Sequence, residues 1–376
     1  MHFCTIICRN YLAQARVLGE SLAKHHPSSG FSVLVLDHSG GVADLRHSES
    51  FEVVALEHLA IPDADVMKGV YTPIELSTAV KPWLLEHLLR LHPDQGGVVY
   101  LDPDIKVFSA MSELAELLEV QNLVLTPHLT SPNGLDGRTP SEQAILLAGT
   151  YNLGFIGVRN SDESRRFLHW WQERLDRDCV VDPASGFFVD QRYVDFAPGL
   201  FDAVAVLRHD GYNVAYWNAA SRVLSSRDDG IVVNGVPLRF FHFSGFDPNR
   251  RDRLSVHQDR IELQARPDLK VVTDAYADEL LESDYVNVRD IPYPFERTAS
   301  GRSIGPLARS LYRRFVDRGF SESLFEVGGE RAFAEATTFN SERFPLLTEA
   351  QMHFWENAPD VRSHFPDVAA GDSDRD

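Results

Sequence analysis

Apolar residues in this chain gather in short runs, separated by stretches of helical spacing. Residues 3–8 (FCTIIC), 31–37 (FSVLVLD) and 51–56 (FEVVAL) have the length and composition of strands buried on both faces. Between the first two, Leu12, Ala15, Leu18 and Leu22 repeat at helical spacing up to His26. This strand, helix, strand order predicts a mostly parallel sheet. Residues 71–92 are helical in pattern with a break at Lys81-Pro82; Pro82 suits the first turn of a new helix and puts Lys81 at its amino end. Further strands are predicted over 98–101, 122–126, 151–158 and 238–243, and edge strands over 204–207 and 231–233. A helix over 162–176 carries Phe167, Trp170, Trp171 and Leu175 on its apolar side, and a shorter one is predicted over 187–196. Beyond about residue 285 the pattern changes. Pro292, Pro294, Gly301, Gly305 and Pro306 mark a linker, followed by helical patterns over 307–318 and 321–337. The chain therefore reads as an α/β domain over 1–285 and a helical region over 286–376 whose last six residues are disordered.

The stretch most informative about chemistry is GGVVYLDPDIKVF, residues 96–108. Its apolar run ends in Asp102-Pro103-Asp104. Burying an unpaired carboxylate costs several kcal/mol, so two acids there belong at the exposed carboxyl tip of the strand, with a partner. In open α/β sheets that edge is where ligands bind. Pro103 stiffens the corner and aims both carboxylates at one place. Oxygen ligands so arranged suit a hard divalent cation carrying a diphosphate. Taken alone, Asp-Pro-Asp is equally an ordinary turn.

Composition narrows the field. The 376 residues carry a net charge of -19, which argues against a nucleic-acid partner. The same charge means that a diphosphate ligand must be drawn in by a metal or by local positive charge. No G-x-G-x-x-G follows the first strand, so the dinucleotide fingerprint is absent. Cys4 and Cys8, on one predicted strand, would lie roughly 13 Å apart, too far for a disulfide. With Cys179 the only other cysteine, a reducing cytoplasm is expected. The opening MHFCTIICRN lacks a basic segment followed by a long apolar one, so no secretory leader is expected, and no apolar run has the length of a membrane span.

Four features then stand in order: Asp102-Pro103-Asp104, Tyr151-Asn152-Leu153-Gly154, Asp190-Gln191, and His242-Phe243-Ser244-Gly245. Singly, each has a plain structural reading. His242 suits a core histidine, Asn152 a turn, Asp190 a cap and Lys81 a solvated lysine. As an ordered set over roughly residues 1–260 they resemble the GT-A nucleotide-sugar glycosyltransferases, specifically glycosyltransferase family 8, the glycogenin and lipopolysaccharide-galactosyltransferase-like family. Asn10-Tyr11 before a helix also looks like that family's nucleotide-binding start.

The resemblance implies a GT-A fold, Rossmann-like with a mostly parallel sheet, with the C-terminal helices as an appendage. It implies a hexosyltransferase-type enzyme that uses Mn2+ or Mg2+ and a nucleotide diphosphate sugar, a UDP- or GDP-sugar. Asp102, Asp104 and His242 would hold the cation. Thr5, Cys8, Asn10, Tyr11, Lys81, Asp102, Asn152 and Gly245 would bind the donor. Asp190 and Gln191 would be catalytic, facing the sugar, with retention at the anomeric carbon. The chain departs from the family at several points. Cys8 stands where an acid normally precedes Asn-Tyr, Arg192 replaces the last acid of Asp-Gln-Asp, and Phe246-Asp247-Pro248 replaces Lys-Pro-Trp. Arg250 and Arg251 are the candidates to replace the missing phosphate-binding lysine.

The expected partners are the donor and a glycan or lipid-linked acceptor in bacterial surface-polysaccharide assembly. Arg302, Arg309, Arg313, Arg314 and Arg318 form a basic stripe around Leu311, Tyr312 and Phe315. That stripe is either a solvated helix face or a peripheral contact with an anionic membrane. The ending HFPDVAAGDSDRD resembles junctions in longer, multidomain glycosyltransferases. Two other functions compete: a catalytically inactive sugar-binding module, and a haloacid-dehalogenase-type phosphatase, which also ends a strand in Asp-x-Asp. Lys106 after the motif and a hundred residues before it disfavour the phosphatase.

Overall fold

The computed structural model describes residues 1–37, 39–228, 230–341 and 347–366. The tail read as disordered, 371–376, lies outside them. The chain forms two compact units, residues 1–60 with 77–293 and residues 61–76 with 294–376.

The strands of the first unit are β1 (His2–Ile7), β2 (Gly30–Val35), β3 (Glu52–Ala55), β4 (Gly97–Leu101), β5 (Ile105–Val107), β6 (Leu123–Pro127) and β7 (Tyr151–Arg159), then β8 (Val181–Asp182), β9 (Phe187–Phe188), β10 (Val204–Val206), β11 (Leu224–Arg227), β12 (Gly230–Val233), β13 (Val236–Pro237) and β14 (Phe240–His242). Seven of them make the central sheet in the order β10-β6-β7-β4-β1-β2-β3. β1, β2, β3 and β4 run parallel, as do β6 and β10; β7 alone is antiparallel to both neighbours. β1 and β4 are buried along their whole length, as their unbroken apolar runs require. One apolar core packs Phe3, Leu18, Val99, Leu114, Phe155 and Phe240; another packs Ile7, Leu12, Val33, Phe241 and Tyr276.

In the first unit two predicted elements differ, and in the second the helix predicted over 321–337 forms only over Val327–Ala336. The stretch 187–196 is not one helix. Phe187–Phe188 pairs with Val181–Asp182, and only Gln191–Val194 is helical. Between them Val189 sits at φ 41, a left-handed backbone that no α-helix continues through. The last strand, Phe240–His242, leaves the central sheet and pairs antiparallel with β5, setting His242 opposite Ile105.

In the second unit the helix Pro306–Val316 carries Arg309, Arg313 and Arg314 of the basic stripe, with Arg302 before it and Arg318 after it. They are largely consumed by internal contacts. Arg309 is buried and donates to the carbonyls of Lys68, Gly69, Tyr71 and Phe295. Arg314 pairs with Glu356 at 2.7 Å, Arg318 with Glu349 at 3.2 Å, and Arg313 lies over the Tyr71 ring. This unit includes residues 61–76, which the sequence pattern assigned to the α/β domain. Among the described residues no helix is long and apolar enough to cross a membrane.

Candidate functional site

The corner after β4 is built by backbone. Asp102 N–H donates to Gly154 O at 2.8 Å, which ties it to β7, and Ile105 N–H donates to Asp102 O at 3.1 Å, which closes the turn. Phe243 N–H donates to Asp104 O at 2.8 Å, so β14 arrives in register against the corner. His242 Nε2 then lies 3.0 Å from Asp104 Oδ1 and 3.6 Å from Asp102 Oδ2. The Tyr100 hydroxyl donates to Asp102 Oδ1 at 2.8 Å and leaves Oδ2 turned toward the imidazole. Burial alone would lower the pKa of His242. The adjoining Asp104 and Asp102 outweigh it and hold the imidazole above its ordinary value.

One donor atom from each of these three residues lies within 4.8 Å of the others. Two carboxylates and one imidazole at the mouth of a sheet suit a divalent cation with mixed oxygen and nitrogen preference. The fit is tight at Gly154. A Cβ there would stand 2.4 Å from His242 Cε1 and 2.7 Å from Asp102 Oδ2, so only glycine lets β7 pass this close.

Behind the triad Asn152 joins a polar wall whose other members, Thr126, His128, Asn213 and Trp217, are not marked by any motif. Asn213 Nδ2 donates to Thr126 Oγ1 at 2.9 Å and to Asn152 Oδ1 at 3.1 Å. Asn213 takes φ 51, a left-handed conformation asparagine tolerates. Asn152 Nδ2 lies 3.4 Å from His128 Nε2. Trp217 stands edge-on to both His128 and His242, each at 5.2 Å between ring centres. The only local signal was the run GYNVAYWN, residues 211–218, which reads as a loop.

His128 is enclosed, and burial pushes its pKa down to about 4; His2 and His26 are pushed down to about 4 for the same first reason. A histidine whose folded pKa is below its unfolded value of 6.5 contributes stability that is complete above pH 6.5 and lost as pH falls toward 4. At about 1.4 kcal/mol per unit, His128 alone accounts for up to about 3 kcal/mol. Stability against urea should therefore fall from pH 6.5 to 4, and His128→Gln should reduce that slope. A slope unchanged by His128→Gln would show that His128 is not held neutral.

Lys81 begins the helix Lys81–Leu91, where the break at Pro82 places it. The sequence reading set it against the donor. The structure buries it, 1 % exposed, with Nζ 2.5 Å from Asp190 Oδ2, 2.7 Å from Leu153 O and 4.2 Å from the centre of the Tyr100 ring. Asp190 is equally enclosed, and burial raises its carboxyl pKa against the pull of Lys81. Gln191 is buried, donates to Ala148 O at 2.8 Å and accepts from Leu153 N–H at 3.4 Å. Asp190 and Gln191 therefore point into backbone and lysine partners and do not line an open face.

A cleft opens beside Asp104, lined among others by Asn10, Tyr11, Gly245, Tyr276, Tyr285 and Arg289. Tyr11 is 42 % exposed. Tyr276 stacks on Phe243 at 3.8 Å, and its hydroxyl is buried with no hydrogen-bond partner. Gly245 holds φ 69, and a Cβ there would meet His257 Cδ2 at 2.5 Å, so two constraints demand glycine. The cation on this cleft is Arg289. Arg251 pairs with Asp278 at 2.7 Å and Arg250 with Asp252 at 3.8 Å, and neither lines it. Thr5 is wholly enclosed in β1, its hydroxyl without a hydrogen-bond partner. Cys8 is buried at the end of β1, and burial followed by Asp37 pushes its thiol up to about 12. The structure thus brings Asp102, Asp104, His242, Asn10, Tyr11 and Gly245 to one place, and encloses Thr5, Cys8, Lys81, Asn152, Asp190 and Gln191 behind it.

No family model matches the chain. It is 28% identical over 250 residues to the uncharacterized protein YfnF of Bacillus subtilis (strain 168), spanning 65% of this chain and 81% of YfnF. It is 28% identical over 251 residues to YfnD of the same strain, spanning 65% of this chain and 78% of YfnD. Among solved structures it is similar to the galactosyltransferase LgtC in complex with donor and acceptor sugar analogs, at 14% identity, 78% of this chain, 98% of that one and a TM-score of 0.45. It is also similar to the apo glycosyltransferase GlyE of Streptococcus pneumoniae TIGR4, at 14% identity, 76% of this chain, 64% of that one and a TM-score of 0.42.

Proposed function

We propose that this chain is a GT-A-type, metal-dependent glycosyltransferase that moves a hexose from a nucleotide diphosphate sugar to a glycan or lipid-linked acceptor, in bacterial surface-polysaccharide assembly on the cytoplasmic side. The observation that carries the reading is the convergence of Asp102, Asp104 and His242 beyond the tip of β4, with Asp104 also lining the cleft that holds Asn10 and Tyr11. A divalent cation held by those three residues would neutralise a departing diphosphate. The exposed ring of Tyr11 offers a stacking face for a nucleobase, and Arg289 supplies positive charge at a cleft in an otherwise strongly acidic chain. Cys8 is a neutral thiol in this reading, so base selection falls to neighbours such as Asn10 and not to a carboxylate. Lys81 acts through Asp190, as a positioning residue. Retention at the anomeric carbon is the stereochemical part of the reading, and proton NMR of the fresh product decides it.

The test is release of nucleoside diphosphate from a panel of UDP- and GDP-sugars with Mn2+ or Mg2+. Asp104 is part-exposed at a sheet tip, so Asp104→Ala should keep the fold and its melting temperature while lowering turnover at least about 100-fold, since metal charge stabilisation amounts to several kcal/mol. Parent-like turnover in Asp104→Ala would remove the metal assignment. Binding without release from any donor would favour a sugar-binding module, and phosphomonoester hydrolysis a phosphatase.

A further inference from the structure

At the opposite end of the same strands lies a second cluster that the proposed reaction does not use. His2 opens β1, Glu52 opens β3, and His92 lies ahead of β4, so the three come together at the amino ends of the sheet. The Asp102 corner is at the carboxyl end of β4, which is five residues or roughly 17 Å long. The imidazoles of His2 and His92 are stacked, 3.9 Å between centres and 16° from parallel. His92 Nε2 is 3.8 Å from Glu52 Oε2. One ligand atom from each of the three residues lies within 4.8 Å of the others.

We propose that His2, His92 and Glu52 form a three-ligand site for a borderline-soft divalent cation of the zinc type, distinct from the site at Asp102, Asp104 and His242. Three observations point there. The His92 Nε2 atom is buried and has no hydrogen-bond partner. A buried nitrogen left unpaired is costly, and a cation between it and the carboxylate would satisfy it. Ser32 Oγ donates to Glu52 Oε2 and lies 2.7 Å from His2 Nε2, so a hydroxyl already orients the carboxylate beside the imidazole. The backbone is also fitted to the ring, since a Cβ at Gly30 would stand 2.6 Å from His2 Nδ1.

The donor sets separate the two sites. Two imidazoles and one carboxylate favour zinc, and with three protein ligands the fourth position is left to water, as in the open class of zinc sites. One imidazole and two carboxylates, with a diphosphate to share, favour manganese or magnesium. A cation here would tie together segments 50 and 40 residues apart in sequence, at positions 2, 52 and 92. The ligands are gathered only in the folded chain, so binding is linked to folding.

The experiment uses the full chain stripped with EDTA and re-equilibrated with zinc alone, in the Asp104→Asn background so that the triad is disabled. Elemental analysis after gel filtration should find one zinc per chain, and zinc should raise the melting temperature by about 3–5 °C. Zinc-edge X-ray absorption should show imidazole nitrogen in the first shell. Adding His92→Ala should remove the zinc and the thermal rise together. If that variant does not fold by circular dichroism, Glu52→Gln on an exposed side chain carries the same expectation. Zinc absent from Asp104→Asn, or retained undiminished when His92 or Glu52 is changed, would overturn the site.

Discussion

Lys81→Met should destabilise the first unit by about 3–5 kcal/mol at neutral pH, the loss typical of breaking a buried ion pair from one side. Lys81 and Asp190 are each nearly unexposed, so the carboxylate left behind has no water to turn to. The loss should shrink toward acid pH, because a protonated Asp190 carries no charge to strand. Burial already raises its carboxyl pKa, and removing Lys81 removes the group that opposes this. The double variant Lys81→Met with Asp190→Leu should recover most of the stability, since apolar replacements of a buried pair are often neutral. Turnover should not recover with it, because the ring of Tyr100 lies under Lys81 while its hydroxyl holds Asp102. A single-variant loss below about 1 kcal/mol by urea unfolding would mean that the pair is solvated.

Much of this arrangement was legible in the sequence because strand burial writes itself as apolar runs. β1, β4 and β7 are enclosed on both faces and leave no polar alternation to misread. The break at Lys81-Pro82 was legible from proline's lack of an N–H. Asp102, Asp104 and His242 were legible as an ordered set, although Asp104 and His242 are 138 positions apart. What stayed hidden depends on long-range register or on backbone strain. Lys81 reads as a solvated lysine until the fold sets Asp190, 109 residues on, against it. Asn213, His128 and Trp217 sit in loops whose local pattern says only that they are loops. In 187–196 the aromatic spacing imitates a helix face, and nothing local marks the left-handed turn at Val189. Arg309 looks like surface charge on a helix, yet its guanidinium caps backbone carbonyls around residues 68–71.

Gly154→Ala should be the single methyl addition most damaging to activity. The argument is space and not backbone freedom, because Gly154 is not among the residues of positive φ. The added Cβ would stand 2.4 Å from His242 Cε1, 2.7 Å from Asp102 Oδ2 and 2.9 Å from Asn152 Oδ1. None of the three can step back easily. His242 is fixed by the pairing of β14 with β5, Asp102 by the Tyr100 hydroxyl, and Asn152 by Asn213. Overpacking of a set interior costs about 1–3 kcal/mol, so the fold should survive with a lowered melting temperature. The triad should not keep its spacing. Displacing reacting groups by about 1 Å is enough for a roughly 100-fold loss in rate. Mn2+ affinity, followed by paramagnetic resonance of the free ion, should weaken in parallel. Gly96→Ala, where an added Cβ meets nothing within 4 Å, is the matched control and should behave as the parent. If Gly154→Ala keeps parental Mn2+ affinity and turnover, His242 and Asp102 do not form one site across β7.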